Sequence, residues 1–147
     1  MSPPPRTTPP FLGTGWTFPP VFDRAQGAVK MVGGTPDVAE SLFLLLSTSP
    51  GERPMNPAFG CNMRAFVFEE VDQNLLTNIE TQVRNAIENF EPRVLDVVVQ
   101  AAEDETAPGT LTLSIQYTVR STNSRYNMVF PWCLREAASP LLTAHAR

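Results

Sequence analysis

An α+β fold is predicted for this chain: an antiparallel β-meander of three or more strands with two main helices packed on one face, preceded by an extended proline-rich arm. Three observations predict it. Residues 110–120, TLTLSIQYTVR, alternate apolar and polar side chains almost without a break, the period of a half-buried strand. Residues 75–90 carry apolar side chains at three- and four-residue spacing, the period of a helix with one buried stripe. Prolines stand at positions 3, 4, 5, 9, 10, 19 and 20, which excludes a regular helix or an interior strand there.

The arm is expected over residues 1–22. Its second half carries Phe11, Trp16, Phe18 and Phe22, large apolar groups that a solvated tail lacks, and so is expected to pack, first against the chain's own core and otherwise against a neighbouring chain. GAVKMVGG (27–34) reads as an edge strand. A helix then starts with Thr35 as N-cap, Pro36 at the first helical position, and Asp37 and Glu40 at its positive end. Val38, Leu42, Leu45 and Leu46 share a face of it, and Pro50-Gly51 ends it. GERPMNPAFG (51–60) is a structured loop with glycine and proline breakers, and CNMRAFVFEE contains a short helix.

The second helix is capped by Asp72, with Val71 and Leu76 as a hydrophobic staple, and stops before Pro92. Three strands follow. In 93–101 Leu95, Val97 and Val99 share a face, with Asp96 and Gln100 opposite. In 110–120 the apolar side is Leu111, Leu113, Ile115, Tyr117 and Val119. In 124–130 it is Tyr126, Met128 and Phe130. A meander of this kind has one buried face, covered by the helices. The folded domain is expected over 23–131, with a tail over 132–147.

The totals narrow the function. The chain has 147 residues, room for one core. No apolar run approaches the roughly 18 residues of a membrane span. The start, MSPPPRTTPP, lacks the basic and apolar regions of a secretory signal, so synthesis and assembly in the cytoplasm are expected. A net charge of −4 and a pI near 4.9 argue against binding nucleic acid through phosphate contacts. Cys61 and Cys133 have no metal or redox spacing and are expected reduced and buried. A single His145 weakens histidine-based metal sites and Ser/His or Cys/His catalysis. The GTG at 13–15 follows no strand and lacks the longer phosphate fingerprint. No cofactor or metal is implied.

Three short motifs carry more. GER at 51–53, P-x-F-G at 57–60 and EPR at 91–93 stand in this order, between MVGGTPDVAESLFLLL and the meander. In this order and at this spacing the chain, over roughly residues 13–120, resembles the baseplate wedge and sheath-initiator proteins of contractile injection machines: contractile phage tails, R-type bacteriocins, type VI secretion and extracellular contractile particles. The resemblance implies a structural role in which Glu91, Pro92 and Arg93 dock on the wedge's helical core. It further implies that the sheet exchanges strands with the first sheath ring. The implied partners are the sheath protein, baseplate wedge proteins and, as further candidates, inner tube and spike-hub proteins, with six copies per baseplate in a phage tail-like particle.

The residues allow plainer readings beside these. Glu91 and Arg93 can pair with each other, with Arg53 as a further partner, and fix the helix–strand corner, and Glu52 and Arg53 can serve only to hold their loop in shape. A helix C-terminus repels a carboxylate, so Glu91 needs a cation from somewhere. Some relatives carry a lysozyme-like label. A glycosidase requires two carboxylates across a cleft, one of them protonated. Glu52, Glu69, Glu70 and Glu91 qualify by type alone, and Arg93 beside Glu91 would favour the ionised form. Catalysis is therefore not expected. The competing class is a regulatory binding module of related fold, an anti-adaptor that blocks a proteolysis adaptor. Purified complexes discriminate the two, through baseplate and sheath components in one case and a response regulator in the other.

Overall fold

A computed structural model describes residues 12–134. Expectations for Phe11, for the rest of the first eleven residues, and for the tail from 135 onward lie outside the described residues. The chain divides into two compact units, Met1–Ser41 and Leu42–Arg147.

The first unit is built from short antiparallel ribbons. β1 (Thr14–Trp16) pairs with β4 (Met31–Gly33), and β2 (Phe22–Asp23) pairs with β3 (Ala28–Val29). The single edge strand expected over 27–34 is thus two strands separated by Lys30. The Lys30 carbonyl accepts from Thr17 N–H at 3.2 Å and its own N–H donates to the Val21 carbonyl at 2.8 Å, so one residue bonds both ways and breaks the run. The own-core packing expected for the aromatic segment is overturned: Trp16, Phe18 and Phe22 are 62%, 44% and 64% exposed. Leu12, which precedes them, is the buried residue among the described part of that segment. Two-stranded ribbons this short offer no second layer to bury an aromatic ring.

Helix α1 (Thr35–Ser47) begins one residue earlier than its capping pattern suggests. Gly34, at φ +77, accepts from Val38 N–H and takes the N-cap place expected for Thr35. Val38, Leu42, Leu45 and Leu46 are all buried, as their spacing requires.

The second unit holds a three-stranded antiparallel sheet in the order β5–β6–β7, with β5 at Val94–Glu103, β6 at Thr110–Val119 and β7 at Ser124–Cys133. α2 (Gln73–Phe90) is capped by Asp72, whose Oδ1 accepts from Leu75 N–H at 2.6 Å. Its stripe of Leu75, Ile79, Val83, Ala86 and Ile87 is buried. The inner sheet face is Leu111, Leu113, Ile115, Tyr117 and Val119 with Phe130, and Phe43 of α1 meets Phe130 with ring centroids 5.6 Å apart. A 3-10 turn over Met63–Phe66 is the short helix expected in CNMRAFVFEE.

The faces of β5 differ from their expected assignment. Leu95 is 40% exposed, and Val94 is buried in its place beside Val97 and Val99. The register slips between Leu95 and Val98, where two residues of β5 oppose one of β6, and Asp96 adopts φ +51. This is a β-bulge with its first residue left-handed, a place that Asp tolerates better than most side chains. Strand β7 runs on through Pro131 to Cys133, past the Phe130 at which the alternating pattern ends.

Candidate functional site at the helix–strand corner

Residues 91–93 close α2 and open β5 with no linker between. Glu91 is the C-cap of α2, and its N–H donates to the Ile87 carbonyl at 2.9 Å. Pro92 forbids another helical turn. Arg93 then folds back on the acid. Its Nε donates to Glu91 Oε1 at 2.7 Å, its Nη2 to Oε2 at 2.8 Å, and its backbone N–H to Oε1 at 3.3 Å. This is a fork-to-fork pair, the strongest geometry available to a carboxylate. Glu91 is only 3% exposed, whereas the Arg93 side chain is 28% exposed.

Arg93 is therefore a cation that answers the helix end. The negative charge of the carboxylate and of the helix C-terminus meet one guanidinium in a mostly buried corner. The Arg93 carbonyl accepts from Arg120 N–H at 2.8 Å, tying the corner to the end of β6. The Tyr117 phenol has its pKa raised, by burial first and then by the charges of Tyr126 and Glu91. What the corner shows to solvent is Pro92 and part of Arg93.

Glu52 and Arg53 hold their loop. Glu52 Oε2 accepts from Ser49 N–H at 3.1 Å, and Oε1 pairs with Arg64 Nη2 at 3.3 Å. Both partners are largely exposed, so the ion pair adds little stability. The Arg53 guanidinium lies 4.1 Å over the Phe59 ring, and Phe59 meets Phe90 edge-on at 5.5 Å. A ladder of Arg53, Phe59 and Phe90 thus connects the GER loop to the helix end that carries Glu91. Gly60 completes the motif for a steric reason. It sits at φ +128, and a Cβ there would come within 2.4 Å of the Thr48 carbonyl oxygen, which already accepts from Cys61 N–H.

A second feature is the sheet edge, which the sequence did not assign to a strand. The sheet has two edges, and they are not equivalent. On β5, Ala101 N–H donates to Glu80 Oε1 of α2 at 2.9 Å, so it points away from β6 and is already taken. Antiparallel pairs alternate between bonded and non-bonded. Ala101 faces Leu113, and Leu113 faces Phe130, so Phe130 bonds inward and the N–H groups of Arg125, Asn127 and Val129 point outward. Among the described residues nothing bonds to these three groups. Pro131, which has the same parity, loses nothing by lacking an N–H there. A proline inside a strand pattern is the sequence signal that could have identified β7 as an edge.

An open depression of about 750 Å³ along residues 21–31 has Asp23 as the only carboxylate in its lining, so it frames no two-carboxylate site. Among the described residues no cluster of His, Cys, Asp and Glu suits a metal, and no helix is long and apolar enough to cross a membrane.

A family model described as baseplate wedge protein gp25 matches residues 33–124, which include both motif loops, the corner and most of the sheet. The baseplate wedge protein gp25 of Enterobacteria phage T4 is 31% identical over 88 residues, covering 58% of this chain. That match spans 64% of the phage protein, a little under two thirds of its length. A crystal structure from Geobacter sulfurreducens, described as a "putative tail lysozyme", is 39% identical, covers 80% of this chain and 98% of its own, and superposes with a TM-score of 0.64. A chain of the six-fold symmetrised baseplate of the anti-feeding prophage is 34% identical, covers 76% of this chain and 88% of its own, and reaches a TM-score of 0.71.

Proposed function

The chain belongs to the baseplate wedge protein gp25 family, and on that premise we propose that it is a structural, non-catalytic component of a contractile injection baseplate that starts sheath assembly. The observation that carries this reading is the open edge of β7. Its outward N–H groups at Arg125, Asn127 and Val129 offer a ladder to an incoming strand, and β-augmentation is the binding mode such a ladder serves. Left uncovered, an edge of this kind promotes aggregation, so a partner strand is its natural occupant. The occupant proposed is a strand of the first sheath ring.

The 91–93 corner supplies the other half of the reading. Because Glu91 fixes Arg93 from both oxygens, Pro92 and the exposed part of Arg93 stand in one direction, as docking on a wedge protein requires. Glu91 acts on the partner through Arg93 and does not reach it directly. Six copies would ring each baseplate, inner tube and spike-hub proteins are further candidate neighbours, and assembly would take place in the cytoplasm. The glycosidase reading finds no support in the same geometry. Both oxygens of Glu91 are engaged by Arg93, and Glu52 is engaged by Ser49 and Arg64. Glu69 and Glu70 are exposed.

Electron microscopy of particles tests the proposal, comparing a deletion of this gene with an Asn127→Pro variant. Proline at 127 removes one outward N–H while leaving the inward bonds to β6 in place. The expected particles are tubes with baseplates and no attached sheath in both cases, with the variant folded by circular dichroism. Intact extended sheaths in the deletion would overturn the initiator role. Intact sheaths in the variant alone would overturn β7 as the accepting edge.

A further inference from the structure

Residues 66–69 form a turn that carries the wrong residue for its shape. Glu69 N–H donates to the Phe66 carbonyl at 3.2 Å, Val67 lies at φ −64 and ψ 131, and Phe68 lies at φ +72. This is a type II β-turn, whose third position belongs to glycine or asparagine because an ordinary Cβ meets the backbone there. The turn is also pinned, since Phe68 N–H donates to the Leu134 carbonyl at 3.1 Å. The side chain gains nothing from the strain, because Phe68 is 82% exposed. Glu69 and Glu70, both exposed, follow directly.

A single exposed apolar residue is ordinary on a protein surface. An aromatic residue that is both exposed and held left-handed is not, because the isolated fold loses on both counts and glycine would remove both losses. We infer that Phe68 is an anchor for a neighbouring baseplate chain. Its ring enters an apolar pocket on that chain, and the rim of the pocket carries arginine or lysine facing Glu69 and Glu70. Large aromatic anchors ringed by polar contacts are the usual centre of a protein interface. The site is separate from the 91–93 corner and from the β7 edge. It shares with them only the premise that the chain sits in a baseplate.

Two measurements test it. In the isolated protein, Phe68→Gly should raise the thermal midpoint by about 2–5 °C, since it relieves strain and uncovers no core. In purified particles, the same variant should be retained at least about ten-fold less than wild type, as expected on loss of an aromatic anchor. Phe68→p-benzoylphenylalanine, irradiated in assembled particles, should cross-link to a different baseplate chain at a peptide bearing arginine or lysine. Glu69→Lys with Glu70→Lys should lower retention as Phe68→Gly does. A lowered midpoint in Phe68→Gly, its normal retention, the absence of a cross-link, or a cross-link to a second copy of this chain would each overturn the anchor. Should the wild-type chain itself be missing from purified particles, the baseplate reading and the anchor fall together. Should it be present with Phe68 silent, the anchor falls alone.

Discussion

Glu91 is 3% exposed and accepts three hydrogen bonds from Arg93, so much of the compensation of its charge comes from that side chain. Removing that side chain takes a fork-to-fork cation and its two side-chain hydrogen bonds away from a buried carboxylate. Arg93→Ala is therefore expected to destabilise the fold by about 3 kcal/mol, the usual penalty for breaking a buried pair from one side. Glu91→Gln removes the charge together with its need for a partner and should cost clearly less. Urea denaturation of both variants checks the order, and an Arg93→Ala midpoint equal to wild type would show that the pair is not holding the corner. Any assembly defect in Arg93→Ala then has to be read against its lost stability. Arg93→Lys, which keeps the charge but loses the fork, is the cleaner docking variant. At this scale the sequence was informative about places. The EPR motif and Asp72 as cap were readable, because each depends on its immediate neighbours, whereas the need for glycine at 60 comes from the Thr48 carbonyl across the loop. The pairing of Arg53 with Phe59 was not, since a ring contact depends on how a loop folds back and leaves no periodic trace.

Elements were readable where their period was unbroken and misread where one residue interrupts it. β6 alternates cleanly and its buried face is the predicted one. β5 does not, because Asp96 at φ +51 inserts a bulge that exchanges Leu95 for Val94 on the inner face. An aspartate in a valine-rich strand looks like an ordinary outward polar residue, so the slip has no signature. The same limit applies to α2, whose apolar stripe was evident while its polar face concealed Glu80. That glutamate occupies Ala101 N–H at the β5 edge, which is the asymmetry behind the proposal that β7 is the accepting edge. Glu80→Ala should uncover the β5 edge without disturbing the core, since Glu80 lies outside the buried stripe. The expected result is a folded protein with a concentration-dependent rise in mass by light scattering. A strictly monomeric variant would mean that β5 is protected by something else.

On the scale of the whole chain, the division after Ser41 was invisible in sequence, because the apolar spacing of α1 runs through it from Val38 to Leu42 and Leu45. The exposed Trp16, Phe18 and Phe22 belong to the first of the two units, where short ribbons replace the core packing that their hydrophobicity suggested. The second unit holds the sheet, α2 and Cys61, and Cys61 provides a probe of how that unit opens. Its thiol is 2% exposed, and burial pushes its pKa from 9.0 to about 11. A raised thiol pKa favours the neutral form in the fold, and only the thiolate reacts. At pH 8 the reactive fraction is thus roughly a hundred-fold below that of an unfolded cysteine, and access is blocked as well. Alkylation of Cys61, followed by peptide mass spectrometry to separate it from Cys133, should therefore be slow in the native protein. It should accelerate with urea in proportion to the unfolded fraction, because the thiol is released only when the packing around it is lost. Fast labelling in the absence of denaturant would mean that the segment around Cys61 opens by itself. That segment lies between the GER loop and the Phe68 turn, so independent opening there would also loosen the two features on either side of it.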